Sequence, residues 1–255
     1  MILQKSWAFW LIACAIVLIA LGCAGVDKKQ EESLKTAQWH YEMAAGYFES
    51  NEVPLAIREL TFCLENNPDH EQANYLLGFI YMGRRNYTKA VVHFRDVLRV
   101  NPKYHFAKNN LGAVFLAMGR WQEAEEVYLE LLDEPLYTTL ELAHNNVGWA
   151  YYNMRRYSEA LEHFRMASFL KPEMCLADNN LGLTFEAMNN RSEAVSAYRR
   201  AINKCPINYQ EPHLNLGKIL QEQGDERARL HFQRCVELQP NSTVAERCRE
   251  YLRLR

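Results

Sequence analysis

Residues 179–206 read NNLGLTFEAMNNRSEAVSAYRRAINKCP. This stretch holds two short segments with apolar residues at helical spacing, separated by polar residues around Asn190. Gly182 and Ala194 are small enough for two helix backbones to approach, and Tyr198 fills the space beside them. Pro206 ends the second segment, because proline lacks an amide hydrogen and clashes with the preceding turn. The stretch therefore predicts a hairpin of two packed helices.

The same arrangement recurs along most of the chain with a period near 34 residues. Its markers are the pairs Leu77-Gly78, Leu111-Gly112, Val147-Gly148, Leu181-Gly182 and Leu216-Gly217, and the prolines Pro68, Pro102, Pro135, Pro172, Pro206 and Pro240. A hairpin of this kind cannot bury its apolar face alone, so consecutive hairpins must stack. The period and the residue types resemble the tetratricopeptide repeat. That resemblance implies an all-α fold, a right-handed superhelical solenoid of six repeats over residues 37–240.

The residues after the last repeat predict one further helix, over residues 241–255. Ser242 and Thr243 are residues that favour a helix N-terminus, and Val244, Cys248 and Tyr251 share one face. Such a helix would cap the exposed core of the last repeat, as solenoids require. Because its other face carries several arginines, the alternative is contact with anionic lipid.

The N-terminal residues predict an export signal and a lipid anchor. Lys5 precedes an apolar run from Trp7 to Leu21, and the chain turns polar soon after Cys23. The Gly22-Cys23 junction resembles the bacterial lipobox, which implies a lipoprotein signal peptide over residues 1–22, a palmitate-type modification of Cys23, and a tether over residues 23–36. Ala24 and Gly25 follow the cysteine, where inner-membrane lipoproteins usually carry Asp, so the resemblance implies the outer membrane.

Two alternatives remain for this N-terminal segment. The tetrapeptide Leu11-Ile12-Ala13-Cys14 also fits the lipobox letters, and its use would leave residues 15–21 as an apolar tail. The apolar run is also nearly long enough to stay as an uncleaved membrane helix.

Composition and motifs argue against several classes of function. The chain has 255 residues and a net charge of −2, so it lacks the basic surface that attracts nucleic acid. Apolar residues make up 49% and charged residues 24%, as in a folded globular protein. We find no glycine-rich phosphate loop, no nucleophile elbow and no cysteine or histidine spacing typical of zinc. The sequence therefore predicts a protein that is not an enzyme and has no cofactor, metal or small-molecule substrate.

In tetratricopeptide repeats the first helix of each repeat lines an inner groove. At the corresponding positions this chain has Tyr75, Phe79, Phe106, Trp149, Tyr152 and Leu183, together with Asn109, Asn145 and Asn179 at one position of three successive repeats. Exposed apolar residues in such numbers indicate a partner site, and an asparagine ladder could bond a peptide backbone of any sequence. We predict a groove for an apolar or amphipathic polypeptide segment. The alternative is that these side chains pack between repeats.

Four cysteines lie where disulfides are geometrically possible. Cys175 opens the first helix of the fifth repeat and Cys205 follows its second helix, so the two ends of that hairpin meet. Cys235 and Cys248 could likewise join the last repeat to the capping helix. The sequence leaves open whether these pairs are bridged or free. Cys63 occupies a core position and should behave as a small apolar residue.

The combination of a lipobox, a short tether and six repeats resembles the pilotin lipoproteins of type IV pilus systems, the PilF, PilW and Tgl kind. The resemblance implies an outer-membrane lipoprotein on the periplasmic face that binds secretin subunits and promotes their membrane targeting and multimerisation. The implied partners are a secretin segment and, through the lipid anchor, the outer membrane. The alternatives are a scaffold lipoprotein of another envelope assembly machine, or an assembly factor anchored in the inner membrane.

Overall fold

The computed structural model describes residues 28–207 and 209–253, which form helices and no strands. Six helical hairpins follow one another, and a single helix ends the described chain. The helices are α1 (28–49), α2 (Val53–Asn66), α3 (Glu71–Gly83), α4 (Tyr87–Val100), α5 (His105–Ala117), α6 (Trp121–Leu132), α7 (Leu140–Asn153), α8 (Tyr157–Leu170), α9 (Cys175–Ala187), α10 (Arg191–Lys204), α11 (Glu211–Glu222), α12 (Arg227–Leu238) and α13 (Thr243–Arg253). The predicted all-α fold of six repeats and a capping helix is confirmed for these residues.

Two compact units divide the chain. Unit 1 runs to Ala107 and unit 2 starts at Lys108, inside α5. In unit 1 the core includes Leu60, Cys63 and Leu77. In unit 2 the largest buried side chains include Tyr128, Phe164 and Tyr198, which all belong to second helices. Within the described residues no helix has the length and apolarity that crossing a membrane demands.

Close contact between a glycine and an aromatic ring holds each hairpin of unit 2 together. A Cβ atom added at Gly148 of α7 would lie 2.8 Å from two ring carbons of Phe164 of α8. The ring is fully buried, so it has no room to move away. The recurring glycine is therefore a requirement of helix-to-helix packing.

A matched pair of alanine substitutions tests this requirement. We expect Gly148→Ala to lower the free energy of unfolding by about 1–3 kcal/mol, because the added methyl overpacks the hairpin against Phe164. Gly46→Ala should instead raise it by about 0.5–1 kcal/mol, because Gly46 lies on α1 with no atom near the added Cβ and alanine favours helix. Urea unfolding of the two variants measures both effects. A similar change for the two variants would contradict the packing argument.

The first helix begins earlier than the sequence indicated. Residues 28–36, assigned to the tether 23–36, are already helical. Lys35 pairs with Glu31 one turn earlier, and the Ser33 hydroxyl donates a hydrogen bond of 2.9 Å to the carbonyl oxygen of Asn66 at the end of α2. This part of the predicted tether is therefore helical, because local pairing and contact with α2 extend the helix. The predicted signal peptide 1–22, Cys14, Cys23 and the tether up to residue 27 lie outside the described residues, as do residues 208, 254 and 255.

One face of α1 is not covered by any other described residue: the face that a repeat placed before the first one would contact. Trp39 and Met43 occupy positions that hold Ala73 and Leu77 one repeat later. Both later residues are buried, whereas Trp39 is 55% exposed and Met43 is also exposed. The N-terminal repeat thus presents apolar surface of the kind that later repeats bury against their predecessors.

The last helix closes the sixth repeat. The Ser242 hydroxyl accepts a hydrogen bond of 3.0 Å from the Ala245 amide, which caps α13 as predicted. The Tyr251 ring stacks on Phe232 of α12 with centroids 4.9 Å apart. The outward residues of α13, such as Arg247 and Glu250, are exposed and charged.

Candidate partner-binding surfaces

Unit 1 carries a partly exposed aromatic surface, whose residues lie on the first helices of its hairpins or directly before one of them. Tyr75 and Phe79 are four residues apart on α3 and therefore share a face. The Tyr75 ring lies 5.2 Å from that of Tyr104, and the Phe79 ring lies 6.2 Å from that of Phe48 on α1. Phe106 is 72% exposed and meets the Tyr104 ring edge-on at 6.3 Å. We call these five residues the unit 1 aromatic surface.

Unit 2 carries a second apolar surface on α7 and α9, which are in contact. The rings of Trp149 and Tyr152 stack with centroids 5.2 Å apart and an angle of 13° between their planes. Burial raises the pKa of the Tyr152 hydroxyl, and nearby Tyr157 and Glu186 contribute to the same increase. Leu183 lies half-buried on α9. We call Trp149, Tyr152 and Leu183 the unit 2 apolar surface.

These two surfaces contain all six apolar groove residues predicted from the sequence. Tyr75, Phe79 and Phe106 lie in unit 1, whereas Trp149, Tyr152 and Leu183 lie in unit 2. None of the six is fully buried, so each still presents surface to a partner. The sequence did not single out Tyr104, whose ring lies beside those of Tyr75 and Phe106.

The asparagine ladder faces neighbouring repeats instead of a partner. Asn145 is buried, and its side-chain oxygen accepts a hydrogen bond of 3.0 Å from Asn180 of the next repeat. Asn179 is buried too, and its oxygen accepts one of 3.2 Å from Asn215. Asn109 is half-buried and accepts a bond of 3.4 Å from the Tyr137 hydroxyl. The prediction of open, peptide-pairing amides was wrong for Asn145 and Asn179, because stacking of the repeats encloses them.

The four cysteines left open by the sequence form two disulfides. Cys175 is bonded to Cys205 with Cα atoms 5.9 Å apart, and Cys235 to Cys248 with Cα atoms 6.4 Å apart. The first bridge joins the start of α9 to the end of α10, and the second joins α12 to α13. Cys63 is free and buried, and burial raises the pKa of its thiol to about 11. A thiol held protonated in this way is a poor nucleophile.

A polar pair bridges the two helices of several repeats at an equivalent position. His40 Nδ1 lies 2.8 Å from Glu59 Oε2 in the first repeat, and His93 Nδ1 lies 3.0 Å from Asn74 Oδ1 in the second. In unit 2 the pairs join two histidines each: His144 to His163 at 3.1 Å and His213 to His231 at 3.0 Å, in each case between Nδ1 atoms. The sequence analysis missed these pairs, although separations of 18 or 19 residues between polar positions could have indicated them.

The paired histidines of unit 2 favour the uncharged state. Burial, together with the smaller effect of neighbouring His163, lowers the pKa of His144 to about 4. Burial also lowers the pKa of His163, against an opposing effect of Glu125. When both rings are neutral, one Nδ1–H donates to the other Nδ1, and protonation of both removes the acceptor. In the described part of the chain no group of three or more His, Cys, Asp or Glu side chains is arranged to hold a metal ion.

This arrangement predicts a loss of stability in acid. Because the folded-state pKa of His144 lies below its unfolded value near 6.5, the unfolded chain binds more protons. Stability should therefore be complete above pH 6.5 and should fall as the pH decreases toward about 4. His144→Asn, which recreates the Asn74–His93 pairing, should lose less of its melting temperature between pH 7 and pH 5 than the wild type does. Thermal melts at both pH values test this, and equal losses would contradict it.

Comparison with protein families identifies the repeats independently. Models of the tetratricopeptide repeat match residues 80–135, 144–167 and 180–206. These ranges cover parts of four of the six hairpins described above.

One relative in sequence is a type IV pilus assembly protein. The type IV pilus assembly protein PilF of Pseudomonas aeruginosa is 23% identical over 160 residues, which cover 60% of this chain and 64% of PilF. The chain thus matches less than two thirds of the length of that relative.

Solved structures agree on the fold. The crystal structure of PilW, described as a widely conserved type IV pilus biogenesis factor, has a TM-score of 0.70 at 19% identity and covers 83% of this chain and 97% of its own. Pseudomonas aeruginosa PilF has a TM-score of 0.66 at 17% identity, covering 87% and 99% of the two chains. At these low sequence identities, the structural similarity shows a shared fold. The chain therefore contains tetratricopeptide repeats in the matched ranges, is similar in sequence to PilF over 160 residues, and has a fold like that of PilW.

Proposed function

We propose that this protein is a non-catalytic, lipid-anchored factor of type IV pilus assembly that binds secretin subunits and promotes their membrane targeting and multimerisation. The pilus role is supported by the sequence similarity to PilF and by the fold shared with PilW. In this proposal Cys23 carries the lipid, and the protein lies on the periplasmic face of the outer membrane. Two disulfides are compatible with such an oxidising compartment.

One observation carries the binding part of the proposal: the exposed rings on the first helices of the repeats. The unit 1 aromatic surface includes the largely exposed Phe106, and the unit 2 apolar surface includes the stacked Trp149 and Tyr152. Aromatic side chains supply most of the binding energy at many protein interfaces. Secretin subunits carry amphipathic strands with unpaired edges before they assemble, and such strands aggregate unless they are covered. Each of the two surfaces, taken by itself, offers apolar cover to a segment of this kind.

A pull-down from detergent extracts tests the binding. We expect Trp149→Ala combined with Phe79→Ala to reduce recovery of secretin by about tenfold or more, because truncated interface aromatics each cost over 1 kcal/mol. Phe62→Ala is the control, because Phe62 is an exposed ring on the second helix α2. Unchanged recovery with the double variant, or equal losses with the control, would contradict the proposed surfaces. Recovery of other envelope proteins without secretin would favour a different assembly machine.

Palmitate labelling tests the anchor separately. The wild type should incorporate radioactive palmitate, and Cys23→Ala should not. Retained labelling in Cys23→Ala but not in Cys14→Ala would assign the lipid to Cys14. Membrane association without any label would favour an uncleaved helix.

A further inference from the structure

The first helix carries a row of residues whose counterparts in later repeats are buried. Trp39, Met43 and Gly46 follow one another on α1 at intervals of four and three residues, so they share a face. Trp39 is 55% exposed and Met43 is 36% exposed, and a Cβ atom added at Gly46 would meet no described atom within 4 Å. We call these three residues the outer α1 face. The function proposed above does not use this face.

The outer α1 face has the form of a surface that packs on another helix. One repeat later the equivalent residues are Ala73, Leu77 and Ile80, and they are buried in one core cluster with Leu60 of α2. The same positions therefore serve to stack a repeat on its predecessor. Gly46 adds room for a close approach, because packed helix axes lie only about 8–10 Å apart and the glycine has no side chain to keep them separate.

The charges beside this face are complementary to a second copy of the chain. Lys35, Glu42 and Glu49 are exposed, and their spacing of seven residues places them along one edge of the face. Two α1 helices can cross antiparallel with Trp39 against the partner's Met43. Lys35 then falls beside the partner's Glu49, and twofold symmetry repeats this contact. A parallel pairing offers Lys35 no acidic residue at the facing position, so the charges select the antiparallel arrangement.

We propose that the outer α1 face joins two copies of this protein into a symmetric dimer. The Trp39 ring packs on the partner's Met43, because a thioether sulfur makes favourable contacts with an aromatic ring. The exposed ion pair of Lys35 with Glu31 contributes little to stability, so Lys35 can exchange it for a contact across the interface. The two Glu42 carboxylates meet at the twofold axis, and their repulsion keeps the dimer weak. This inference depends neither on the proposed lipid anchor nor on secretin binding.

Charge reversal tests the proposal, with the full-length protein followed by sedimentation equilibrium in detergent. We expect Lys35→Glu to raise the dissociation constant of the dimer by about tenfold, because both contacts between Lys35 and Glu49 become repulsive. Glu49→Lys should act similarly, and the two substitutions combined should restore the wild-type constant to within about threefold. Glu65→Lys is the matched control, because Glu65 is an exposed glutamate on α2 and should leave the constant unchanged.

Cross-linking identifies what covers the face. With a short bis-maleimide, membranes that contain the full-length Glu42→Cys variant should yield at least about fivefold more cross-linked dimer than those with Glu65→Cys, because only residue 42 lies at the twofold axis. A wild type that stays monomeric, or a double charge reversal that does not restore the dimer, would overturn the proposal. So would cross-links confined to Cys14 or Cys23 of the same chain, which would assign the face to the N-terminal segment. Cross-links confined to a different protein would also overturn it.

Discussion

Replacing Phe164 with alanine is expected to lower the free energy of unfolding by about 3–5 kcal/mol. Phe164 is fully buried in the fourth repeat, where its ring lies against the backbone of Gly148. Truncation removes the buried ring and leaves a cavity that the rigid hairpin cannot close, because the glycine has no side chain to move into it. Urea unfolding followed by circular dichroism measures the effect.

Phe169→Ala is the matched control for this experiment. It removes the same side chain from the same helix, but at a largely exposed position. Its free energy of unfolding should change by less than about 0.5 kcal/mol. If the two variants were destabilised equally, the stability of the fourth repeat would not depend on the contact between Gly148 and Phe164.

The second large effect concerns the disulfide between Cys175 and Cys205. Replacing both cysteines with serine should lower the free energy of unfolding by about 3–4 kcal/mol, because the bridge closes a loop of about 30 residues in the unfolded chain. The bridge between Cys235 and Cys248 closes a shorter loop of 13 residues, so its removal should cost somewhat less, about 3 kcal/mol. Denaturant unfolding of both double variants under oxidising conditions provides the comparison.

Thiol alkylation supplies the control for the disulfide experiment. Without a reducing agent, Cys175, Cys205, Cys235 and Cys248 should all stay unmodified in the denatured protein, whereas Cys63 should react. Addition of dithiothreitol should destabilise the wild type more than it destabilises the Cys175→Ser, Cys205→Ser variant. An equal effect on both proteins would show that this bridge does not stabilise the fifth repeat.

The hairpins could be predicted because the residues that pack the two helices together lie within one repeat of the sequence. Gly148 and Phe164 lie 16 residues apart, as do Gly182 and Tyr198. The contact between the two helices can therefore be recognised from the sequence of a single repeat. The cap was predictable for a similar reason, since Ser242 marks a helix start next to the unfinished sixth repeat. Local signals of this kind do not depend on contacts with neighbouring repeats.

Contacts between repeats were harder to predict. Asn145 bonds Asn180, but nothing in the fourth repeat alone shows which residue of the next repeat will enclose its amide. The early start of α1 depends on the contact of Ser33 with Asn66, 33 residues away. The histidine pairs were hard to predict for another reason: in unit 1 Glu59 replaces the histidine of the second helix in the first repeat, and Asn74 replaces the histidine of the first helix in the second repeat. Their recurrence shows only when the partners on both helices are compared.

Among the residues that the structure describes, one side of α1 is uncovered, which would allow the array to be extended there. A consensus hairpin grafted upstream would bury Trp39 and Met43, which are exposed. Their counterparts Ala73 and Leu77 in the second repeat are already buried. A hairpin appended after Arg253 would meet exposed charged residues of α13 such as Arg247 and Glu250, because Tyr251 already stacks on Phe232 and Cys248 is bonded to Cys235. Growth of the protein by repeat duplication, in evolution or in engineering, should therefore proceed from the N-terminal side.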